Sequence, residues 1–418
     1  MMKPFKTLHP FKLGVIRKAI ASWSPTRLFS DPLTKGVWYD PSDFSTMFQD
    51  AAGTVPVTAV GQPVGLMLDK SKGLVLSPEL VTNGEFSDGT TGWTANVTNS
   101  AISVSAGALT LTRTSIGKAT AYTAITTVIG KSYEFGGSVT GTTGSIGLLY
   151  FSASTSASDP LQNCTFSTVS VAVQRKPFVF TAKATTTYIH LVIDNNGPGG
   201  TATIDNISVR ELPGNHAFNP SGNSANFPVL QQDGTGRYYL AFNGVNQWLQ
   251  TNSIDFTYGD KMFVSAGVRK LSDAANSANS LCGLVTDSIG GNSGHFEILT
   301  SDFYASRYFD FISRGTVASI AGTTSNSFAS PKTLITSGIG NISGDRATLR
   351  LNGSQVAEST EDQGTGNYGN YPMYIGARAG SSFWFNGRLY GLVVAGKQAS
   401  ASEIASTEAW LNQKTGAY

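Results

Sequence analysis

The stretch LDKSKGLVLSPELVTNGEFSDG, Leu68–Gly89, begins in one manner and continues in another. Its first part, Asp69–Gly73, reads as a surface turn, since charged and small residues ending on glycine suit a tight reversal. Glu79–Phe86 reads instead as the opening strand of a fresh module. Either one fold stops near Gly73 or one fold is interrupted there, and the patterns on each side decide between the two.

Downstream of Glu79 the apolar residues recur with period two. Ile102 and Val104 alternate with serines, then Leu109 and Leu111 with threonines, around a turn at Ala106 and Gly107. That pattern predicts a hairpin with one apolar face. TYIHLVID, Thr187–Asp194, puts Ile189, Leu191 and Ile193 on one face and Tyr188, His190 and Val192 on the other. A turn-rich NNGPGG follows, and ATIDNISVREL, Ala202–Leu212, closes the block.

Upstream, residues 1–35 differ from everything else. Leu13, Ile16, Ile20 and Trp23 fall on one side of a short helical or extended segment. Such a helix is marginal alone, so the segment is expected to be an anchor that orders against a partner or against the protein's own body. At the other end, Ser400 and Glu403 form a capping box, and Ile404 and Leu411 share a face, which predicts a C-terminal helix against the body.

A chain of 418 residues holds two or three cores, because single domains settle near ~100–200 residues. With only 13% charged residues, 11% aromatics and abundant glycine, the composition favours strands joined by tight turns, an all-β chain. The net charge of +2 is uneven: the first 35 residues carry seven cations against Asp31 alone, so the remainder is net negative. No nucleic acid is expected as a partner, because the bulk lacks the basic surface that phosphate binding needs. Arg17 and Lys18 interrupt the apolar run Leu13–Ile20, so neither a signal peptide nor a membrane span is expected. Cys164 and Cys282 lie far apart, which favours two buried thiols over a disulfide framework.

The opening LVTNGEFSDGTTGW, Leu80–Trp93, and the closing TIDNISV, Thr203–Val209, make residues 78–212 resemble a carbohydrate-binding module of the galactose-binding-like jelly-roll type. GRYYLAFNGVNQWLQT (Gly236–Thr251), RATLRLNGSQVAES (Arg346–Ser359) and the FNGRLYGLVV strand within Tyr371–Gln413 resemble a laminin G or concanavalin A-like sandwich. Sandwiches of this kind in tailed bacteriophages often carry a segment like Gly36–Ser71 that runs straight into a G-N-H-A turn. Here that turn, Gly214–Ala217, comes only after the jelly roll. The resemblance therefore implies an all-β chain of two jelly-roll or β-sandwich domains, one inserted in the other. The N-terminal anchor is 1–35, the discontinuous concanavalin A/laminin G-like sandwich is 36–77 plus 213–418, and the jelly roll is 78–212.

Catalytic signatures are not found. The four histidines lack H-E-x-x-H spacing, no G-x-S-x-G elbow occurs, and the closely spaced acids of concanavalin A-like glycosidases are missing. Glu361 and Asp362 are adjacent in a loop-like STEDQGTG. Glu297 with Asp302 or Asp310 is the pairing that the fold alone would have to create. Binding needs aromatic rings for sugar C–H faces and neighbouring amides or acids for hydroxyls. Tyr188 and His190 in the jelly roll, and Trp384 and Tyr371 in the sandwich, are the carbohydrate-binding candidates, against packing as the alternative. Trp93 is expected to plug the core. No cofactor is expected apart from a structural calcium, which the jelly-roll resemblance places at Glu85 and Asp205, the competing role being hydrogen bonding.

The resemblances imply a non-enzymatic virion structural protein at the tail tip, baseplate or fibre of a phage. It would be a homo-oligomer that docks on other virion proteins through its N-terminal segment and binds host-surface glycan during adsorption. A head or collar decoration protein and a polysaccharide-degrading virion enzyme are the alternatives.

Overall fold

A computed structural model describes residues 23–418, apart from 97, 145, 161–163, 167–173, 176, 195–198, 274–277, 287–290 and 302–306. The described chain is all-β, with antiparallel sheets, short 3-10 turns and one α-helix at its C-terminal end.

Two sheets make the larger sandwich. One has Gly36–Tyr39 alongside Asn386–Ala395, which also neighbours Tyr238–Asn243 and Lys261–Lys270. The other runs from Met47–Phe48 through Leu66–Met67, Ala217–Phe218, Leu249–Asp255, Asn370–Ile375 and Asn279–Gly283 to Phe296–Ser301, Phe309–Arg314 and Ala318–Thr323. Strands from before the jelly roll thus pair with strands from after it: Gly36 lies opposite Ala395, and Met67 opposite Ala217. Val37, Met47 and Met67 share one core with Phe242, Val264, Ile298 and Leu392. The sheets that begin before Gly73 are thus continued by strands after Leu212.

The helix Ala401–Thr415 lies on the outer face of the first sheet. Ser400 and Glu403 form the expected reciprocal cap, and Gly416 ends the helix in the left-handed region. Close approach is possible because the sheet offers glycines there: a Cβ on Gly267 would stand 2.5 Å from Thr415, and one on Gly391 3.1 Å from Leu411. Trp410 meets Trp38 edge-on at 5.7 Å. Trp23 packs against this cluster, so the one described member of the anchor stripe rests on the protein's own body. Leu13, Ile16 and Ile20 lie outside the described residues.

In the jelly roll, Leu148–Ser154, Thr186–Asp194 and Ala119–Thr126 form the centre of a five-stranded sheet, and Ser132–Thr143 with Thr201–Leu212 the centre of a six-stranded one. Between them Phe135, Phe151, Phe166 and Phe178 stack with centroids 4.5–5.3 Å apart. Leu109, Leu111, Ile189, Leu191 and Ile193 are fully buried, as the alternation predicts. Trp93 is also in this core, with Nε1 donating to the Asn83 carbonyl at 3.3 Å.

The two ends of the jelly roll meet in a paired stalk. Leu80 N donates to Val209 O at 3.0 Å, and Ser77 N to Glu211 O at 3.0 Å. Glu79 clamps it, its carboxylate accepting from Ser208 Oγ (2.6 Å), Val81 N (3.0 Å) and Val209 N (2.8 Å) and pairing with Arg210. Partial burial raises its pKa, but these donors outweigh it and hold the group below the ordinary glutamate range.

Asp69 corrects the reading of DKSKG as a wholly surface turn. The turn exists, with Gly73 at φ +75°, but Asp69 is fully buried. Its carboxylate accepts from Trp38 N, Ser71 N, Ser71 Oγ and Asn215 N, each at 2.8 Å, while its own amide donates to His216 Nδ1 at 3.0 Å. One side chain therefore ties the strand before the insertion to the turn after it. Burial raises the Asp69 pKa to about 6 in spite of the four donors, and burial lowers that of His216 to about 4.

Candidate functional site

The outward row of the five-stranded sheet holds the first pair of sugar-binding candidates. Tyr188, His190 and Val192 alternate with the core row, and the register sets His190 between Tyr122 and Ser152. Tyr122 and Tyr188 are both half-buried, with their rings edge-on at 6.1 Å. His190 completes the ring cluster, 5.7 Å from Tyr122 and 6.4 Å from Tyr188.

His190 itself is fully buried, which corrects its assignment to an open groove. Its Nε2 lies 3.0 Å from both the Ser156 carbonyl and Ser154 Oγ. A carbonyl only accepts, so Nε2 carries the proton and Nδ1 is left as a bare acceptor. Burial lowers the pKa to about 4, more than the Ser156 bond and Asp159 raise it, so the ring is neutral at pH 7. Nδ1 and the neighbouring Ser152 Oγ are both buried with no hydrogen-bond partner. The exposed part of the site is thus a pair of tyrosines, with the buried His190 ring beside them in the same row.

On the larger sandwich the two candidates separate. Tyr371 has the same parity as Met373 and Ile375 and packs against the main core, which corrects its placement in a groove. Trp384 is half-buried in the loop before Asn386–Ala395, where its carbonyl accepts from Asn279 Nδ2. The aromatic pair that does sit on the outer face is Trp248 with Tyr374, centroids 5.9 Å apart. Alternation could have found both, since Trp248 precedes the buried Leu249 and Tyr374 stands between the buried Met373 and Ile375. Tyr122, between Ala121 and Thr123, was legible in the same way.

Of the acids considered for catalysis, Glu297 and Asp310 are held in ion pairs. Arg378 Nε donates to Glu297 Oε1 at 3.0 Å and Nη2 to Oε2, and the guanidinium lies 4.1 Å over the Phe383 ring. Arg307 pairs with Asp310 at 2.8 Å. Asp302 lies outside the described residues. Glu361 and Asp362 are exposed in a loop, with Asp362 accepting from Gly364 N at 2.7 Å.

For calcium, the first and last segments of the jelly roll do meet, Ile207 N donating to Gly84 O at 3.0 Å. Glu85 is exposed, and Asp205 accepts from the Asn206 amide at 2.7 Å beside a bulge where Asn206 takes φ +56°. Among the described residues no group of three His, Cys, Asp or Glu side chains comes together. The pair supplies two carboxylates to a cation that prefers six to eight oxygens. Cys282 is a buried free thiol whose pKa burial pushes up, and nothing is described of the Cys164 side chain. No described helix is long and apolar enough to cross a membrane.

No family model matches the chain, and no curated protein matches it. Among solved structures, it is similar to the receptor-binding domain of botulinum neurotoxin mosaic serotype C/D, with a TM-score of 0.34 and 14% identity over 46% of this chain and 49% of that one. The botulinum neurotoxin serotype D ligand-binding domain in complex with N-acetylneuraminic acid gives a TM-score of 0.33 and 13% identity over 46% and 49%. The serotype G binding domain gives 0.33 and 12% over 44% of each chain. The chain spans about half the length of these structures. A likeness this partial does not bear on what the chain binds.

Proposed function

We propose that this chain is a non-enzymatic adhesin, a structural protein of a tailed-phage virion at the tail tip, baseplate or fibre, whose jelly roll binds host-surface glycan. The observation that carries the reading is the outward Tyr122–Tyr188 pair, two half-exposed rings on a rigid sheet beside a buried neutral histidine. Rings fixed in this way meet sugar C–H faces at little cost in conformational freedom. The stalk supports it further, since it carries the jelly roll as an appendage of the larger sandwich. The phage origin rests on the order of sequence segments around the insertion. Copies repeated as a homo-oligomer on a particle add weak sites together, and the basic N-terminal segment is the part assigned to docking on other virion proteins.

The full chain applied to an array of bacterial surface oligosaccharides tests the reading. Retention of at least one glycan, loss of retention in Tyr122→Ala and Tyr188→Ala, and no release of reducing sugar are expected. Turnover of any bound glycan would replace the adhesin with the enzyme alternative. A chain lacking residues 1–35 is expected to bind glycan normally and to be missing from purified particles.

A further inference from the structure

Beyond the tyrosine pair, the two sandwiches enclose a cleft between them. It measures about 1000 Å³, at the upper end of the ~300–1000 Å³ typical of ligand pockets, which favour domain interfaces. The jelly roll contributes Phe180, backed by Tyr133 in a stacked pair at 5.5 Å, and the larger sandwich contributes Phe218; both rings are half-buried. Two bonds cross between the modules here, Asn252 Nδ2 to Thr181 Oγ1 at 3.2 Å and Val179 N to Ala52 O at 2.6 Å, so the cleft is preformed.

Its lining narrows the ligand class. Hydroxyls and an amide, among them Ser154, Thr155, Thr181 and Asn252, line it together with the phenyl rings. Among the described residues no carboxylate lines the cleft, which disfavours a cation, and Lys183 is the one ammonium, too little for a polyanion. Aromatic faces mixed with uncharged hydrogen-bonding groups suit a neutral, hydroxyl-rich chain.

The cleft reaches the end of the strand that carries Tyr188. Ser154 lines it while lying opposite Tyr188 in the sheet and contacting His190 Nε2, and Thr187, next to Tyr188, lines it as well. We infer that the interdomain cleft is a second saccharide subsite, so that one neutral oligosaccharide runs from the Tyr122–Tyr188 pair round the strand end at the exposed Thr155 and ends between the two sandwiches. This rests on the glycan-binding reading above and adds that both modules hold the same chain.

The test is calorimetric titration of the full chain with di-, tri- and tetrasaccharide fragments of whichever array glycan binds best. Affinity is expected to rise about tenfold or more from di- to tetrasaccharide as the second subsite fills. Thr155→Trp, a plug at an exposed rim position, and Asn252→Ala, checked for folding by circular dichroism, are expected to abolish that gain while leaving the disaccharide unchanged. Affinity independent of length, or a gain that survives both substitutions, overturns the cleft subsite and leaves the glycan-binding reading standing. A chain that retains no glycan overturns both. Loss of disaccharide binding in Tyr188→Ala alone, with Thr155→Trp inert on every fragment, confines the ligand to the tyrosine pair and also overturns the proposal.

Discussion

In the larger sandwich buried charge recurs, and each group pins a loop or an element. Glu297 and Arg378 fix the loop before Trp384, Lys270 is fully buried and donates to the Thr300 and Tyr308 carbonyls and to Asp273, Glu408 on the helix takes both arms of Arg350, and Asp69 secures the stalk. The jelly roll relies more on a pile of phenyl rings, and its buried Arg113 donates to the Gly199 carbonyl at 2.6 Å. A frame that must hold an appendage in one orientation gains from directional bonds whose loss is costly.

The contrast can be broken at its strongest points first. Phe151→Ala, which removes a fully buried ring from the middle of the stack, is expected to cost the jelly roll about 3–5 kcal/mol and leave the larger sandwich's unfolding transition in place, as read by denaturant titration. Glu297→Ala should do the converse. It strands the buried Arg378 guanidinium and is expected to cost about 3–5 kcal/mol in the larger sandwich alone.

Acid acts on both modules through buried histidines, since burial lowers the pKa of His295 in the larger sandwich as it does that of His190 in the jelly roll. The His190 pKa is about 4 in the fold and 6.5 free, so its contribution is complete above pH 6.5 and is lost as the pH falls towards 4, on the order of 2 kcal/mol by pH 5. His216 behaves alike at the junction, but Asp69, raised to about 6, contributes stability that is present below pH 3.8 and lost as the pH rises through 6. Going from pH 7 to pH 5, the two junction groups largely offset one another, and both modules are expected to weaken, the jelly roll through His190 and the larger sandwich through His295. Urea unfolding at the two pH values checks this, and His190→Gln should flatten the jelly roll's dependence. The smallest effect is expected at the cap, where Ser400→Ala costs about 1 kcal/mol and lowers only the transition that includes the helix.

Local patterns in the chain were readable where one element settles its own structure. The hairpin around Ala106 and Gly107, the reciprocal cap at Ser400 and Glu403, and the buried row Ile189, Leu191 and Ile193 all follow from spacing alone. Burial of Asp69 does not, because its partners Trp38 and Asn215 lie 31 and 146 residues away and a charged residue beside lysines looks solvated. His190 is missed for a related reason: what covers it is the serine-rich segment around Ser154 and Ser156, which has no apolar signal of its own. Tyr371 shows the limit of counting aromatics near loops, since only the parity it shares with Met373 and Ile375 reveals that it faces inward.

The paired stalk has a genetic corollary. Since Ser77 and Glu211 are hydrogen-bonded neighbours, a recombination event that replaces everything between them hands the host sandwich a foreign module whose ends already match its doorway. On the proposed function, a single crossover would change specificity and leave the bonds around Asp69 in place.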